Sequence, residues 1–213
     1  MYVRTVKGKE LNLSVYGKLW QRSLIMEDDE TGTEWSHIMG KAMAGELKGS
    51  QLEVIPSVIT DWKSWRARHP RTSVMDLPRT DERFVREYQR RRPENFVLGL
   101  SKLGRAKAYS FVTLKKEQLV QDTFEGDPIV VAYLPEAATA TAFYRRTTKG
   151  KALNFAPGVT RQTLTDKETG SRWDALSGKG LSGPLKGEAL ELAPGIPSFR
   201  EAWEKFYPDS EFR

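Results

Sequence analysis

The sequence contains no cysteine in 213 residues and only two histidines. Without thiols there can be no disulfide, no thiolate metal site and no cysteine nucleophile. A cysteine-free chain is stable in either redox environment, so this absence leaves the cellular compartment open. Two histidines also leave little material for a hydrolase triad, and no metal ligand can be assigned.

Long apolar runs and nucleotide-binding loops are missing as well. No window approaches the roughly 18 apolar residues of a membrane-spanning helix, and the first ten residues hold no apolar signal-peptide region. Neither a glycine-rich phosphate loop nor a G-x-S-x-G nucleophile elbow occurs. The sequence therefore predicts no catalytic residues and no cofactor, and it favours a protein that is not an enzyme.

Basic residues are concentrated in one part of a globular composition. The chain is 38% hydrophobic and 29% charged, with a net charge of +6. Residues 61–92 contain ten Lys or Arg and five Asp or Glu. The candidate basic patch consists of Arg66, Arg68, Arg83, Arg86, Arg90, Arg91 and Arg92. Such a block can contact nucleic acid, an anionic surface or an acidic partner, although a solvated helix is the commoner explanation.

A duplicated unit runs through most of the chain. KGKELNL at residue 7 recurs as KGKALNF at residue 149, and DDETGTEW at residue 28 recurs as DKETGSRW at residue 166. An offset of 138 then persists, aligning Trp65 with Trp203 and Pro70 with Pro208. We predict a first unit over residues 1–78, a basic helical linker over residues 79–93 and a second unit over residues 94–213.

The pattern within each unit predicts strands followed by one short helix. Leu11 to Val15 alternates with a period of two, which is typical of a half-buried strand. In the first unit Thr60-Asp61 can cap a helix that carries Trp62 and Trp65 on one face and ends at Pro70. The expected fold is mainly β (α+β), with two pseudo-repeated antiparallel meander or barrel-like units, each closed by a short aromatic helix.

Several stretches together resemble the domain of unknown function 3179 family. They are VLGLSKLGRAKAYSFVTLKKEQLV at residue 97, the two E-T-G-x-x-W turns, and TDWKSWRARHP at residue 60. The resemblance covers nearly the whole chain except about residues 71–93. It implies a bacterial or archaeal protein of tandem-unit type with no established activity. It also implies an exported or periplasmic location, although no leader is visible in this chain.

The sequence departs from the family pattern in two places. Family members often carry a Cys-Pro-x-Cys element, where this chain has Leu134, Pro135, Glu136 and Ala137. A metal or redox role suggested by the family is therefore in doubt here. In addition, Met1 aligns with Phe143, so the first unit lacks a counterpart of residues 96–142. We expect another protein chain, the same or different, to complete the first unit, because an unpaired sheet edge recruits a strand.

Candidate ligand-binding side chains lie in the first unit. His37 and His69 could converge on a polar site with the neighbouring acids Asp28, Asp29 and Glu30, since imidazole and carboxylate suit metal binding or acid–base work. The alternative is that each histidine merely finds a local hydrogen-bond partner. Trp35 and Trp65 have counterparts in the second unit and are predicted core residues. Trp20 and Trp62 have none and are the better candidates for surface binding.

Three functions remain open. The leading hypothesis is a non-catalytic β-rich scaffold or accessory subunit that binds another protein. The alternative is a metal- or small-ligand-binding protein, or an enzyme remnant, that uses His37, His69 and nearby acids. Nucleic-acid binding through residues 66–92 is the least favoured, because the only aromatics from Thr80 to Arg92, Phe84 and Tyr88, lie on the apolar face of the predicted helix.

Overall fold

The computed structural model describes residues 1–74, 93–102 and 104–213, and in these residues β-strands predominate. The helix predicted between Thr80 and Arg92 lies outside the described residues. The strands are β1 (Thr5–Val6), β2 (Lys9–Glu10), β3 (Leu13–Trp20), β4 (Ser23–Asp28), β5 (Glu34–Ser36), β6 (Ala42–Ala44), β7 (Phe96–Lys102), β8 (Arg105–Ser110), β9 (Leu119–Phe124), β10 (Asp127–Leu134), β11 (Thr139–Tyr144), β12 (Phe155–Pro157), β13 (Thr163–Asp166), β14 (Arg172–Asp174), β15 (Gly180–Ser182), β16 (Ile196–Phe199) and β17 (Glu211–Phe212). The helices are α1 (Trp62–Arg68), α2 (Phe111–Glu117) and α3 (Arg200–Phe206), with single 3-10 turns at Pro93–Asn95 and Pro135–Ala137.

The two units contain the same four-stranded antiparallel meander. One sheet has the order β3-β4-β5-β6 and the other the order β12-β13-β14-β15. Leu13 pairs with Asp28 in the first, as Phe155 pairs with Asp166 in the second. The predicted duplication and the mainly β fold are therefore confirmed. Within the described ranges the sheets are open and none closes into a barrel.

A buried carboxylate fixes the turn in each meander. Asp28 accepts a hydrogen bond from the Trp35 indole Nε1 at 2.8 Å and from the Thr31 hydroxyl at 2.7 Å. In the second unit Asp166 accepts from the Trp173 Nε1 at 2.8 Å. Asp28 and both indoles are fully buried. Burial opposes ionisation of Asp28, yet the hydrogen bonds from Trp35 and Thr31 outweigh it and lower its pKa.

The second unit carries two further sheets, ordered β11-β10-β9 and β16-β7-β8-β17. Strand β10 is buried on both faces, as its apolar sequence predicts. Val130, Ala132 and Leu134 pack against the second meander, whereas Ile129 and Val131 pack against β7, β8 and α2. The unit is therefore layered, with β10 at its centre.

The closing helices of the two units differ in burial. Trp203 of α3 is fully buried, and its ring lies so close to β7 that a Cβ added to Gly99 would be 2.3 Å from it. Trp65 of α1 donates a hydrogen bond from its Nε1 to Thr72 Oγ1 at 3.2 Å, but its side chain is only half-buried. The prediction that Trp65 is a core residue is therefore only partly right, since no residue of α1 is fully buried.

The three described helices are short, with seven residues each. Among the described residues, no helix has the length and apolar character needed to cross a membrane.

Replacing the buried carboxylate tests the turn that both units share. We expect Asp28→Ala to lower the free energy of unfolding by about 2–3 kcal/mol, because the buried Trp35 indole would lose a charged acceptor. The measurement is chemical denaturation followed by Trp fluorescence. The neighbouring Asp29→Ala is the matched control, because Asp29 is exposed, and it should stay within about 0.5 kcal/mol of the parent. Equal losses for the two variants would contradict this role.

Candidate functional site

A cavity of about 370 Å³ lies where the two units meet, and we call it the inter-unit cavity. Its volume falls within the range of small-molecule sites, about 300–1,000 Å³. Most of its described wall is apolar and includes Ile38, Ile59, Phe96, Phe111, Ile196 and Phe199. The polar side chains on its wall are those of Arg22, Ser23, His37, Thr60, Asp61 and Ser198.

Equivalent stretches of the duplicated sequence both line this cavity. They are residues 59–61 of the first unit and residues 197–199 of the second, which are related by the offset of 138. At the last of these positions the first unit has Asp61 and the second has Phe199. The two copies therefore contribute a carboxylate and a phenyl ring to the wall at equivalent positions.

Hydrogen bonds place Thr60 and Asp61 on the wall. The Thr139 hydroxyl of β11 donates to the Ile59 carbonyl oxygen at 3.1 Å and holds this stretch against the second unit. Asp61 then begins α1, as predicted, and its Oδ1 accepts from the Ser64 N–H at 2.9 Å. The Asp61 side chain is thus fixed at the point where the chain enters the helix.

Two oxygen atoms at this place lack hydrogen-bond partners. Thr60 Oγ1 and Asp61 Oδ2 are both shielded from solvent, and neither has a partner. Burial opposes ionisation of Asp61, but the hydrogen bonds from Ser64 outweigh it and lower the pKa of the carboxyl group. An unpaired buried polar atom costs about 1–3 kcal/mol, and more when it is charged, so a donor group placed beside these two oxygen atoms would be stabilised.

His37 reaches the cavity from the turn after β5. The adjacent Ile38 packs with Val97, Trp203 and Phe206, and the Tyr2 hydroxyl donates to the His37 carbonyl oxygen at 2.7 Å. Desolvation lowers the pKa of the His37 imidazole, and the positive N-terminus lowers it further. The ring is therefore neutral at pH 7 and can both donate and accept a hydrogen bond.

The second predicted histidine lies elsewhere. His69 ends α1 and its ring stacks on Trp65, with 4.1 Å between the ring centroids. It is not among the described residues that line the inter-unit cavity. In the parts of the chain that the structure describes, no group of three or more His, Asp or Glu side chains is arranged to hold a metal ion.

The acids proposed to join the histidines have structural contacts. Asp28 binds the Trp35 indole, and Glu30 accepts hydrogen bonds from the Asn12 backbone and side chain at 2.8 and 2.7 Å. The second unit repeats the latter pair with Glu168 and Asn154. Asp29 is exposed. These contacts recur where no histidine is present, so they account for Asp28 and Glu30 without a ligand.

The two candidate surface tryptophans are partly exposed. Trp20 is 40% exposed and its ring meets Phe206 edge-on, with 4.9 Å between centroids. Trp62 is the first residue of α1 and is 45% exposed. Neither is among the described residues that line the inter-unit cavity.

The basic stretch is only partly described. Arg66 is exposed on α1, whereas the Arg68 guanidinium lies 2.7 Å from the Asp174 carboxylate of the second unit. The remaining arginines of the candidate patch, Arg83, Arg86, Arg90, Arg91 and Arg92, lie outside the described residues. Arg68 thus serves an ion pair between the units.

Sequence reasoning missed the cavity itself. Asp61 was predicted as a helix cap, but nothing in its neighbourhood indicates that Phe96, Phe111 and Ile196 face it. The offset of 138 relates Asp61 to Phe199, and it therefore identifies a position at which the two copies differ in charge. That signal alone could not show that both positions line the same space.

Comparison with known proteins identifies the family and no close relative of known function. A family model described as a protein of unknown function (DUF3179) matches residues 1–95 and, a second time, residues 90–212. No curated protein and no solved structure matches the chain.

The ion pair between the units provides a test of how the cavity is held together. We expect Arg68→Ala to lower the free energy of unfolding by about 1–3 kcal/mol, because the largely buried Asp174 carboxylate would lose its partner. Arg66→Ala removes the same group from an exposed position of the same helix, and it should change stability by less than about 0.5 kcal/mol. Chemical denaturation measures both, and indistinguishable variants would contradict the structural role of Arg68.

Proposed function

We propose that this chain, which belongs to the DUF3179 family of unknown function, binds a small and largely apolar molecule in the inter-unit cavity. The observation that supports this most directly is the composition of the cavity wall. Apolar side chains form most of it, and a few polar groups lie among them. Small-molecule sites in proteins commonly have this character, because apolar contact supplies affinity and a few polar groups fix orientation.

The proposal retains part of the small-ligand hypothesis. His37 lines the cavity, and Asp61 takes the place of the acids Asp28, Asp29 and Glu30 as the nearby carboxylate. His69 has no part in it. No reaction is proposed, and the role assigned to the cavity is binding.

Filling the cavity should remove binding. Ala202 is a partly exposed residue of α3 that lines the cavity, so Ala202→Leu replaces a methyl by an isobutyl side chain there without breaking the helix. We expect the parent to bind the neutral fluorescent probe N-phenyl-1-naphthylamine at one site with a Kd of about 0.1 mM, as about 0.3 kcal/mol per non-hydrogen atom gives. Ala202→Leu should weaken binding at least tenfold.

The matched control places the same group on the other closing helix. Ala67 of α1 is exposed and does not line the inter-unit cavity, so Ala67→Leu should leave the probe affinity unchanged. Circular dichroism and thermal unfolding establish that both variants are folded. Probe binding that does not saturate, or that survives Ala202→Leu, would overturn the proposal.

A second candidate function is that of a scaffold or accessory subunit that binds an extended segment of another polypeptide along β3. In the second unit the Gln121 side chain of β9 bonds both the N–H and the carbonyl oxygen of Phe155, at 2.8 and 3.1 Å. Leu13 is the equivalent residue of β3, and among the described residues no side chain bonds its backbone. β3 is an edge strand on which Val15 and Leu19 are 67% and 69% exposed.

The probe for this edge is β9, the strand whose Gln121 side chain bonds β12 in the second unit. We expect a peptide with the sequence of residues 118–125, QLVQDTFE, to bind with a Kd of about 1 mM or tighter and to shift the amide resonances of residues 13–20 in NMR spectra. A peptide in which Gln121 is replaced by Ala is the control and should bind more weakly. Shifts spread over the whole chain, or equal binding of the two peptides, would refute strand addition at β3.

A further inference from the structure

Two neighbouring oxygen atoms on the wall of the inter-unit cavity have no hydrogen-bond partner. Asp61 employs Oδ1 to cap α1, which leaves Oδ2 without a partner, and the adjacent Thr60 Oγ1 is also unpaired. Both atoms are shielded from solvent. A carboxylate oxygen only accepts hydrogen bonds, and a hydroxyl can accept as well as donate, so a ligand group with several donors satisfies both.

The charged side chains of the cavity wall determine which ligand groups are favoured, positive or negative. The charged side chains on the described wall are Asp61 and Arg22. Arg22 is 79% exposed and lies 3.6 Å from the Glu201 carboxylate, so solvent and Glu201 both screen its charge. Asp61 has one carboxylate oxygen that is shielded from solvent, and His37 is neutral. Near Asp61 the described wall of the cavity therefore favours a positive group over a negative one.

The rest of the described wall is mostly apolar. Phe199 stands at the position equivalent to Asp61, and Phe96 lies beside it, with 4.4 Å between the two ring centroids. Phe111 lines the cavity as well. Aromatic rings pack well against a flat apolar body. The polar and apolar parts of the wall together fit a molecule that is apolar at one end and a donor at the other.

We infer that the inter-unit cavity selects a primary amine attached to an apolar, aromatic-sized body, with the ammonium group bound by Asp61 and Thr60. This inference rests on the proposed binding function and adds the chemical class of the ligand. An ammonium group carries three donors, enough for both unpaired oxygens, and its charge complements the Asp61 carboxylate.

The test compares three ligands that share one ring system: 1-naphthylmethylamine, 1-naphthylmethanol and 1-naphthylacetate. Isothermal titration calorimetry on the full chain at pH 7 gives the Kd of each. We expect the amine to bind at least tenfold more tightly than the acetate, with the neutral alcohol between them. Ala202→Leu should weaken all three, which shows that they occupy the inter-unit cavity.

Asp61→Asn replaces the unpaired Oδ2 and keeps the Oδ1 that caps α1. Asn caps helices as well as Asp does, so its Oδ1 can still accept from Ser64, while its amide group replaces Oδ2 by a neutral donor. We expect the amine to lose at least tenfold in affinity and the acetate to gain, with the alcohol changing less than threefold. The control is Asp209→Asn, which alters an exposed carboxylate that does not line the cavity and should change none of the three.

The outcomes separate the two proposals. If the three ligands bind equally and Asp61→Asn changes none of them, the amine preference is wrong while binding in the cavity stands. If none of the ligands and no neutral probe binds, the proposed function falls together with this inference. A tighter acetate than amine in the parent chain would assign the selectivity to Arg22 and overturn the role of Asp61.

Discussion

The hydrogen bond between a buried aspartate and a buried indole is the constraint on which both meanders depend. Asp28 with Trp35, and Asp166 with Trp173, close the same turn at the same 2.8 Å. A carboxylate is costly to bury, so it must be fully bonded, and the threonine of the E-T-G turn supplies further donors. Any substitution in this group leaves a charged or polar atom unpaired in the core. This explains why the sequence D-x-E-T-G-x-x-W appears in both copies while the surrounding residues differ.

The structural features that both copies of the unit share could be predicted from the sequence. The offset between the copies correctly identified the duplicated strands, the E-T-G turns and the closing helices, because each of these depends on local chemistry that both copies share. The capping of α1 by Asp61 was equally accessible, since it needs only residues 61 and 64. The burial of Trp65 was overestimated, because the close approach of β7 that encloses Trp203 depends on Gly99, which is more than a hundred residues away from Trp203.

The inter-unit cavity could not be predicted in this way. Its walls come from β7, α2, β11, β16, α3 and three stretches of the first unit, and no local pattern encodes that these meet. The packing that brings them together is specific and long-range. It consists of Ile38 against Trp203 and Phe206, the Thr139 hydroxyl on Ile59, and the Arg68–Asp174 ion pair. Sequence reasoning reached His37 because histidine is rare in this chain, and grouped it with Asp28, Asp29 and Glu30 because these acids are near it in sequence. The three acids are not among the residues described as lining the cavity.

A duplicated protein has a simple route to such a site. Two copies that pack against each other bring equivalent stretches to one junction, here residues 59–61 and 197–199, and identical side chains at these positions would give the junction one uniform chemistry. Divergence at a single pair of positions, Asp61 and Phe199, gives the wall a carboxylate from one copy and a phenyl ring from the other. The strands and turns that hold each unit together can remain unchanged meanwhile, since Asp28 and Asp166 are not among the residues described as lining the cavity. The chemistry of the junction can therefore change without loss of the hydrogen bonds that close the turns in both halves.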